Sequence, residues 1–229
     1  MMEFANLRAG IKDKTLTDYG EIASIILKLD AQLIDWPEKL DAVWSFETKQ
    51  KSKAAPEIFG DHYYIYYDLY PAGIWNSYRC VHMMVIQTIM EGMTETAHLT
   101  FPAVSPTYIS VYKDYKASIA KLCSDICASF HYHIYNVDQE SATEVGPALG
   151  GYYILWGIFS VAMAERSSSV RKKWALNRLE QIGKAMGIQH ALGLVELIRN
   201  IPPQELSERD LVWERLEALG DRNGILALL

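Results

Sequence analysis

Apolar residues recur at steps of three and four along most of the chain. Ile22, Ile25, Ile26, Leu29 and Leu33 share one helical face, behind Thr17 or Asp18 as a cap. Pro37 opens a shorter segment that sets Leu40, Val43 and Trp44 to one side. The polar, basic run 49–56 reads as a loop. A long helical region spans about 60–92, and Pro71 within it predicts a kink. Pro102 and Pro106 mark a loop, after which Ser105 or Thr107 starts a helix to about His133, with Ile109, Leu122, Cys123 and Ile126 inward. A polar loop over 136–148 precedes an apolar helix from about 147 to 165. Ser167 to Ser169 cap the next helix, which Gly187 ends. A short helix over 189–199 stops before Pro202 and Pro203, and Ser207 with Asp210 resembles a capping box. This periodicity predicts an all-α protein, a single multi-helix bundle domain over residues 1–229.

Half of the 229 residues are hydrophobic, enough for a sizeable core. A net charge of −6 gives no pull toward phosphate backbones. Cys80, Cys123 and Cys127 are the three cysteines, and no secretory leader precedes them. That combination predicts free thiols and an intracellular, cytoplasmic protein. The longest apolar run, 150–164, falls short of the roughly 20 residues of a spanning helix, so it reads as buried and no membrane partner is expected. A glycine-rich phosphate loop, a dinucleotide fingerprint, HExxH and a nucleophile elbow are all missing from the sequence, so neither cofactor nor metal is expected.

Candidate chemistry concentrates in HYYIYYDLYPAGIWNSYRCVH, residues 62–82. Trp75, Arg79 and His82 sit at i, i+4 and i+7 of the expected helix. Trp75 can stack a planar ligand, Arg79 can hold a carbonyl or carboxylate, and His82 can exchange protons. The plainer reading is an internal ion pair between Arg79 and Asp68. Tyr63, Tyr66, Tyr67 and Tyr70 would share a broad face, as a polar cavity or as core. Farther on, Cys123, Cys127 and His131 lie four apart, steps too long for a compact metal site. Asp125, Ser129 and His133 repeat that spacing and imitate a catalytic triad in residue type alone. Glu140 and Glu144 lie in the polar loop, where either carboxylate can fold over a pocket. Tyr152, Tyr153 and Trp156 either line a pocket or fill the core.

Three segments together resemble the C-terminal regulatory region of fungal binuclear zinc-cluster transcription factors. They are LDAQLIDWPEKLDAVWSFET (29–48), HYYIYYDLYPAGIWNSYR (62–79), and GGYYILWGIFSVAMA with RLEQIGKAMGIQHALGLVELIR (within 150–199). The resemblance implies an all-helical regulatory domain, nuclear location and transcriptional control, often of metabolite gene clusters. The zinc cluster itself needs six cysteines, and this chain has none before residue 80. A basic recognition helix and a heptad linker are also missing from the sequence, so no direct DNA binding by this chain is expected.

Trp75, Arg79 and His133 fit the family pattern, whereas His82 stands where relatives carry arginine and His131 where they carry proline. Those departures point to a small-molecule metabolite as partner and to cofactor-free epimerisation or isomerisation by proton transfer, in fungal secondary metabolism. His131 and His82, with Asp68 or Glu144, would be acid and base. Tyr66, Trp75, His133 and Trp156 would hold the substrate, and Arg79 would stabilise enolate charge. The alternative is a non-catalytic regulatory or effector-sensing domain. A homodimer is compatible with either, because the apolar end GILALL (224–229) can seal a neighbour's groove.

Overall fold

A computed structural model of the chain describes residues 2–51, 58–100, 104–135, 145–164 and 169–201, together with Trp213 and Arg215. Among these, the elements are α1 (Met2–Lys12), α2 (Tyr19–Asp35), β1 (Phe46–Gln50), β2 (His62–Tyr66), α3 (Leu69–Thr100), α4 (Pro106–Tyr135), α5 (Val145–Ala164), α6 (Val170–Met186) and α7 (Gln189–Asn200). The protein is all-α, with one small antiparallel hairpin among the described residues. No helix among the described residues is long and apolar enough to cross a membrane.

Helix ends follow the local chemistry. Asp18 Oδ1 accepts the Glu21 amide at 2.7 Å at the start of α2, and Ser105 Oγ accepts the Tyr108 amide at 3.2 Å at the start of α4. Ser169 Oγ accepts from the Arg171 and Lys172 amides at the start of α6. Gly187 then ends that helix in the left-handed region, at φ 72°.

The tyrosine-rich stretch departs from its expectation. Residues 62–66 form strand, not helix, and pair with 46–50 in the register Phe46↔Tyr66 and Thr48↔Tyr64. Alternation sends Tyr64 and Tyr66 inward, and Tyr67 and Tyr70, beyond the strand, are exposed, so the broad four-tyrosine helical face does not exist. Lys49 and Gln50 belong to β1 and not to a loop. Pro71 falls in the first turn of α3, where its missing N–H would have no intrahelical partner. No kink is needed there. The segment after Pro37 is two 3-10 turns, 37–39 and 42–44, with Val43 exposed. The expectations for 136–144, Ser167, Ser207 and Asp210 lie outside the described residues.

The fold resolves into two compact units. The first draws on 2–34, 83–100, 104–119 and Trp213. Phe4 and Leu7 of α1 and Ile26 and Leu29 of α2 are buried there. Asp30 accepts a hydrogen bond from the Tyr115 hydroxyl at 3.2 Å. Burial and the Asp30 charge push that phenol up to about 12. Trp213 stacks on Tyr112 at 3.6 Å between ring centroids and donates Nε1–H to Thr94 Oγ1 at 2.8 Å.

The second unit holds the hairpin, 69–82 of α3, 120–135 of α4, and α5 to α7. Its core includes Ile126, Phe130, Ile154, Ile158, Val161, Leu179 and Ile182. A Cβ added at Gly150 would lie 1.7 Å from the His133 carbonyl oxygen. Only a glycine lets the α5 backbone approach α4 this closely. The candidate site lies wholly within this unit.

Candidate functional site

Ala72, Trp75, Asn76 and Arg79 recur at helical spacing on α3 and are all buried. The hairpin lays Phe46, Tyr64 and Tyr66 together, and α4 presents Asp125, Ser129 and His133 at intervals of four.

Arg79 is the organising group, only 1% exposed. Its Nη1 donates to the Tyr66 hydroxyl at 2.8 Å and to Asn76 Oδ1 at 3.1 Å. The guanidinium carbon stands over the rings of Phe46, Tyr64 and Trp75 at 5.3, 5.2 and 5.4 Å. Among the described residues no carboxylate lies within ion-pair distance of it. The charge is instead stabilised by neutral oxygens and by three ring faces, whose quadrupoles attract a cation most strongly when water is excluded. Its negative counterweight is one step removed. Asp125 accepts the Tyr64 hydroxyl at 2.9 Å and pairs with Lys121 at 2.8 Å, toward solvent.

Asn76 passes the order set by Arg79 to α4. Arginine can only donate, so the Asn76 atom facing it must be the carbonyl oxygen. The amide nitrogen therefore points the other way and donates to His133 Nε2 at 2.8 Å. An imidazole nitrogen that accepts carries no proton, which places the proton on Nδ1. Nδ1 is buried with no hydrogen-bond partner among the described residues, and the Ala72 backbone lies near the ring. Burial, reinforced by the Arg79 charge, holds His133 down at about 3. The ring is neutral throughout the physiological range. The Ser129 hydroxyl completes the group, lying between Asn76 Oδ1 at 2.9 Å and the Ile126 carbonyl at 2.7 Å. Burial raises the pKa values of Tyr66 and Tyr64, for Tyr66 against the opposing Arg79 charge and for Tyr64 with the Asp125 charge adding to the rise.

Around this closed group lies an aromatic layer. Trp75 donates Nε1–H to the Trp44 carbonyl at 2.7 Å. Trp36 stacks on Tyr78 at 4.7 Å and meets Trp75 edge-on at 5.3 Å. A cavity of about 240 Å³ opens beside the layer, lined by residues that include Leu40, Asp41, Trp44, Phe46 and Trp75. Phe46 and Trp75 thus face both the cavity and the Arg79 guanidinium.

The expected site residues therefore separate into groups. Tyr66, Trp75, Arg79 and His133 come together in the buried cluster. His82 is buried one layer out, its Nδ1 3.4 Å from the Tyr78 hydroxyl. His131 is half-buried and packs against the rings of Tyr63 and Tyr135 at 4.7 and 5.2 Å. Asp68 is exposed, and the expected Arg79–Asp68 pair is replaced by the bonds to Tyr66 and Asn76. Trp156 is about half exposed against Phe159, so it neither lines an interior pocket nor fills the core. Glu140 and Glu144 lie outside the described residues. Cys80 is a buried thiol pushed up to about 11 by burial, and Cys123 and Cys127 are likewise buried and not in a disulfide.

The sequence reading missed Asn76 and Tyr64. Asn76 was detectable as a lone amide at i−3 from Arg79, in a turn otherwise occupied by rings and small residues. Tyr64 becomes visible only once 62–66 is read as strand, because helical spacing assigns it to a different face.

No family model, curated protein or solved structure matches this chain.

Proposed function

We propose that this chain is a non-catalytic regulatory domain of the kind found in fungal zinc-cluster transcription factors, sensing a small metabolite through the aromatic layer around Arg79. The observation that carries this reading is the closure of the polar cluster. Arg79, Asn76, Ser129, Tyr66 and His133 hydrogen-bond to one another, and His133 is held neutral. Proton transfer needs a group that changes charge near the working pH, and within the closed cluster His133 does not supply one. Sensing needs something else, namely a rigid element whose packing a ligand can bias. The cluster supplies it by tying β2 and α4 to α3, and the cavity beside Trp75 and Phe46 gives a ligand access to the rings that enclose the guanidinium. At about 240 Å³ the cavity is below the usual size for a drug-like ligand and suits a one- or two-ring metabolite. The sequence resemblance points to the same reading.

The test is to tether the full chain to a heterologous DNA-binding module beside a reporter. This reading expects reporter output to change several-fold, and to change again when Trp75→Ala opens the ring layer. An inert fusion would contradict it.

A second reading, cofactor-free epimerisation or isomerisation, draws on His131 and His82. Both imidazoles keep a tyrosine beside them outside the closed cluster. Incubation with chiral carbonyl metabolites in deuterated water tests it directly. Deuterium at a stereocentre, lost in His131→Ala, would favour the catalyst over the regulator.

A further inference from the structure

α5 carries no charged residue, and its outer face is apolar and exposed. Leu149, Tyr152, Tyr153, Trp156 and Met163 are between 39% and 68% exposed, and Phe159 is half-buried among them. Leu149, Tyr152, Trp156, Phe159 and Met163 follow one another at steps of 3, 4, 3 and 4. That spacing is the seam of a helix pair that packs side chains into a facing helix. The opposite face is already occupied within the unit, since Ile154, Ile158, Val161 and Ala162 are fully buried. Among the described residues the seam faces away from this buried face, whereas Tyr153 beside it packs against Gly73 of α3.

The seam also has an internal symmetry that selects its partner. It is nearly balanced about Trp156: Leu149 and Met163 lie seven residues away on either side, and Tyr152 and Phe159 four and three. Two copies of α5 laid antiparallel across a two-fold axis at Trp156 would set Trp156 against Trp156, Tyr152 beside Phe159, and Leu149 against Met163. Such a contact is isologous and closes at two copies. It opposes the two helix dipoles favourably. It also brings no like charges together, the usual penalty when a surface meets its own copy. Five side chains exposing roughly 100 Å² each would bury about 1,000 Å² over the pair, the lower bound for a specific interface.

We propose that the chain forms a homodimer through antiparallel pairing of α5 about Trp156. This inference is independent of the regulatory reading and holds whatever the domain does.

Sedimentation of the full chain across a wide concentration range tests it. Wild type is expected to dimerise. Trp156→Glu, and separately Tyr152→Glu, should weaken the dimer about 30-fold or more while leaving the helical circular dichroism intact. Val170→Glu, on an exposed position of α6, should leave it unchanged. Orientation follows from cross-linking, because the native thiols are buried. The double variant Leu149→Cys/Met163→Cys should form an intermolecular disulfide, and Leu149→Cys alone should not, its two copies lying about 21 Å apart in the antiparallel pair. A chain that is monomeric throughout, a dimer lost equally in Val170→Glu, or efficient cross-linking by Leu149→Cys alone would each overturn the proposal.

Discussion

The Asn76 side-chain amide donates to His133 Nε2 across 2.8 Å, and the direction of that bond is dictated from Arg79. One guanidinium thereby fixes an amide orientation, an imidazole tautomer and the seating of β2 through Tyr66. Three elements, β2 and α3 adjacent in sequence and α4 well beyond them, are held by groups that leave one another little freedom, and this is the physical content of a rigid sensing element.

Replacing Arg79 by lysine keeps the charge and loses the planar fork. A single ammonium on a flexible stem cannot reproduce the geometry toward both the Tyr66 hydroxyl and Asn76 Oδ1. Leaving one buried acceptor unfilled costs about 2 kcal/mol, to be read from urea unfolding midpoints of Arg79→Lys. Arg79→Met should cost more, since it removes the guanidinium donor from both the Tyr66 hydroxyl and Asn76 Oδ1.

His133 makes stability depend on pH in a definite direction. Its folded pKa of about 3 lies below the ordinary 6.5, so the unfolded chain takes up the proton first. The contribution is fully present above pH 6.5 and is lost as pH falls toward 3. In that window this one group should give a slope approaching 1.4 kcal/mol per pH unit. His133→Gln retains an acceptor for the Asn76 amide and cannot titrate. Unfolding free energies from pH 8 to 4.5 should therefore be flatter for the variant by about one proton.

Much of the helical frame was legible from sequence. Asp18, Ser105 and Ser169 announce helix starts by their side-chain oxygens, and Gly187 announces an end by its tolerance of positive φ. These are local signals, decided by groups a few residues apart. The hairpin was not legible, for two reasons. β1 is exposed at four of its five positions and shows no apolar alternation. In and just after β2 tyrosines occupy both inward and outward positions, so residue type does not distinguish Tyr64 and Tyr66 from Tyr63 and Tyr67. The pairing of 46–50 with 62–66 is a long-range choice that puts Phe46 and both inward tyrosines over Arg79. Arg79 and Trp75 were recognisable as chemistry-bearing residues, but the partner of Arg79 was assigned to Asp68 by charge. In a buried setting the neutral oxygens of Tyr66 and Asn76, with three rings, take that role. Trp156 was misplaced because a run apolar on all sides gives no indication of which face is covered.

Gly150 is a second point where backbone and site meet. An alanine there would drive a methyl group into the His133 carbonyl, and neither helix can yield without displacing the cluster. Gly150→Ala should destabilise by about 3 kcal/mol in thermal or urea unfolding. Gly193→Ala is the matched control: it lies in α7 with open space around it and should stabilise by about 0.5–1 kcal/mol. Equal effects at the two glycines would argue against the close α4–α5 contact.

The most direct test of the account is nitrogen-15 NMR of the His133 imidazole in the intact chain. A closed cluster ordered by Arg79 predicts a proton on Nδ1, a bare Nε2 coupled to the Asn76 amide, and no change from pH 8 to 4.5. A resonance that titrates near 6.5, or a proton found on Nε2, would contradict it.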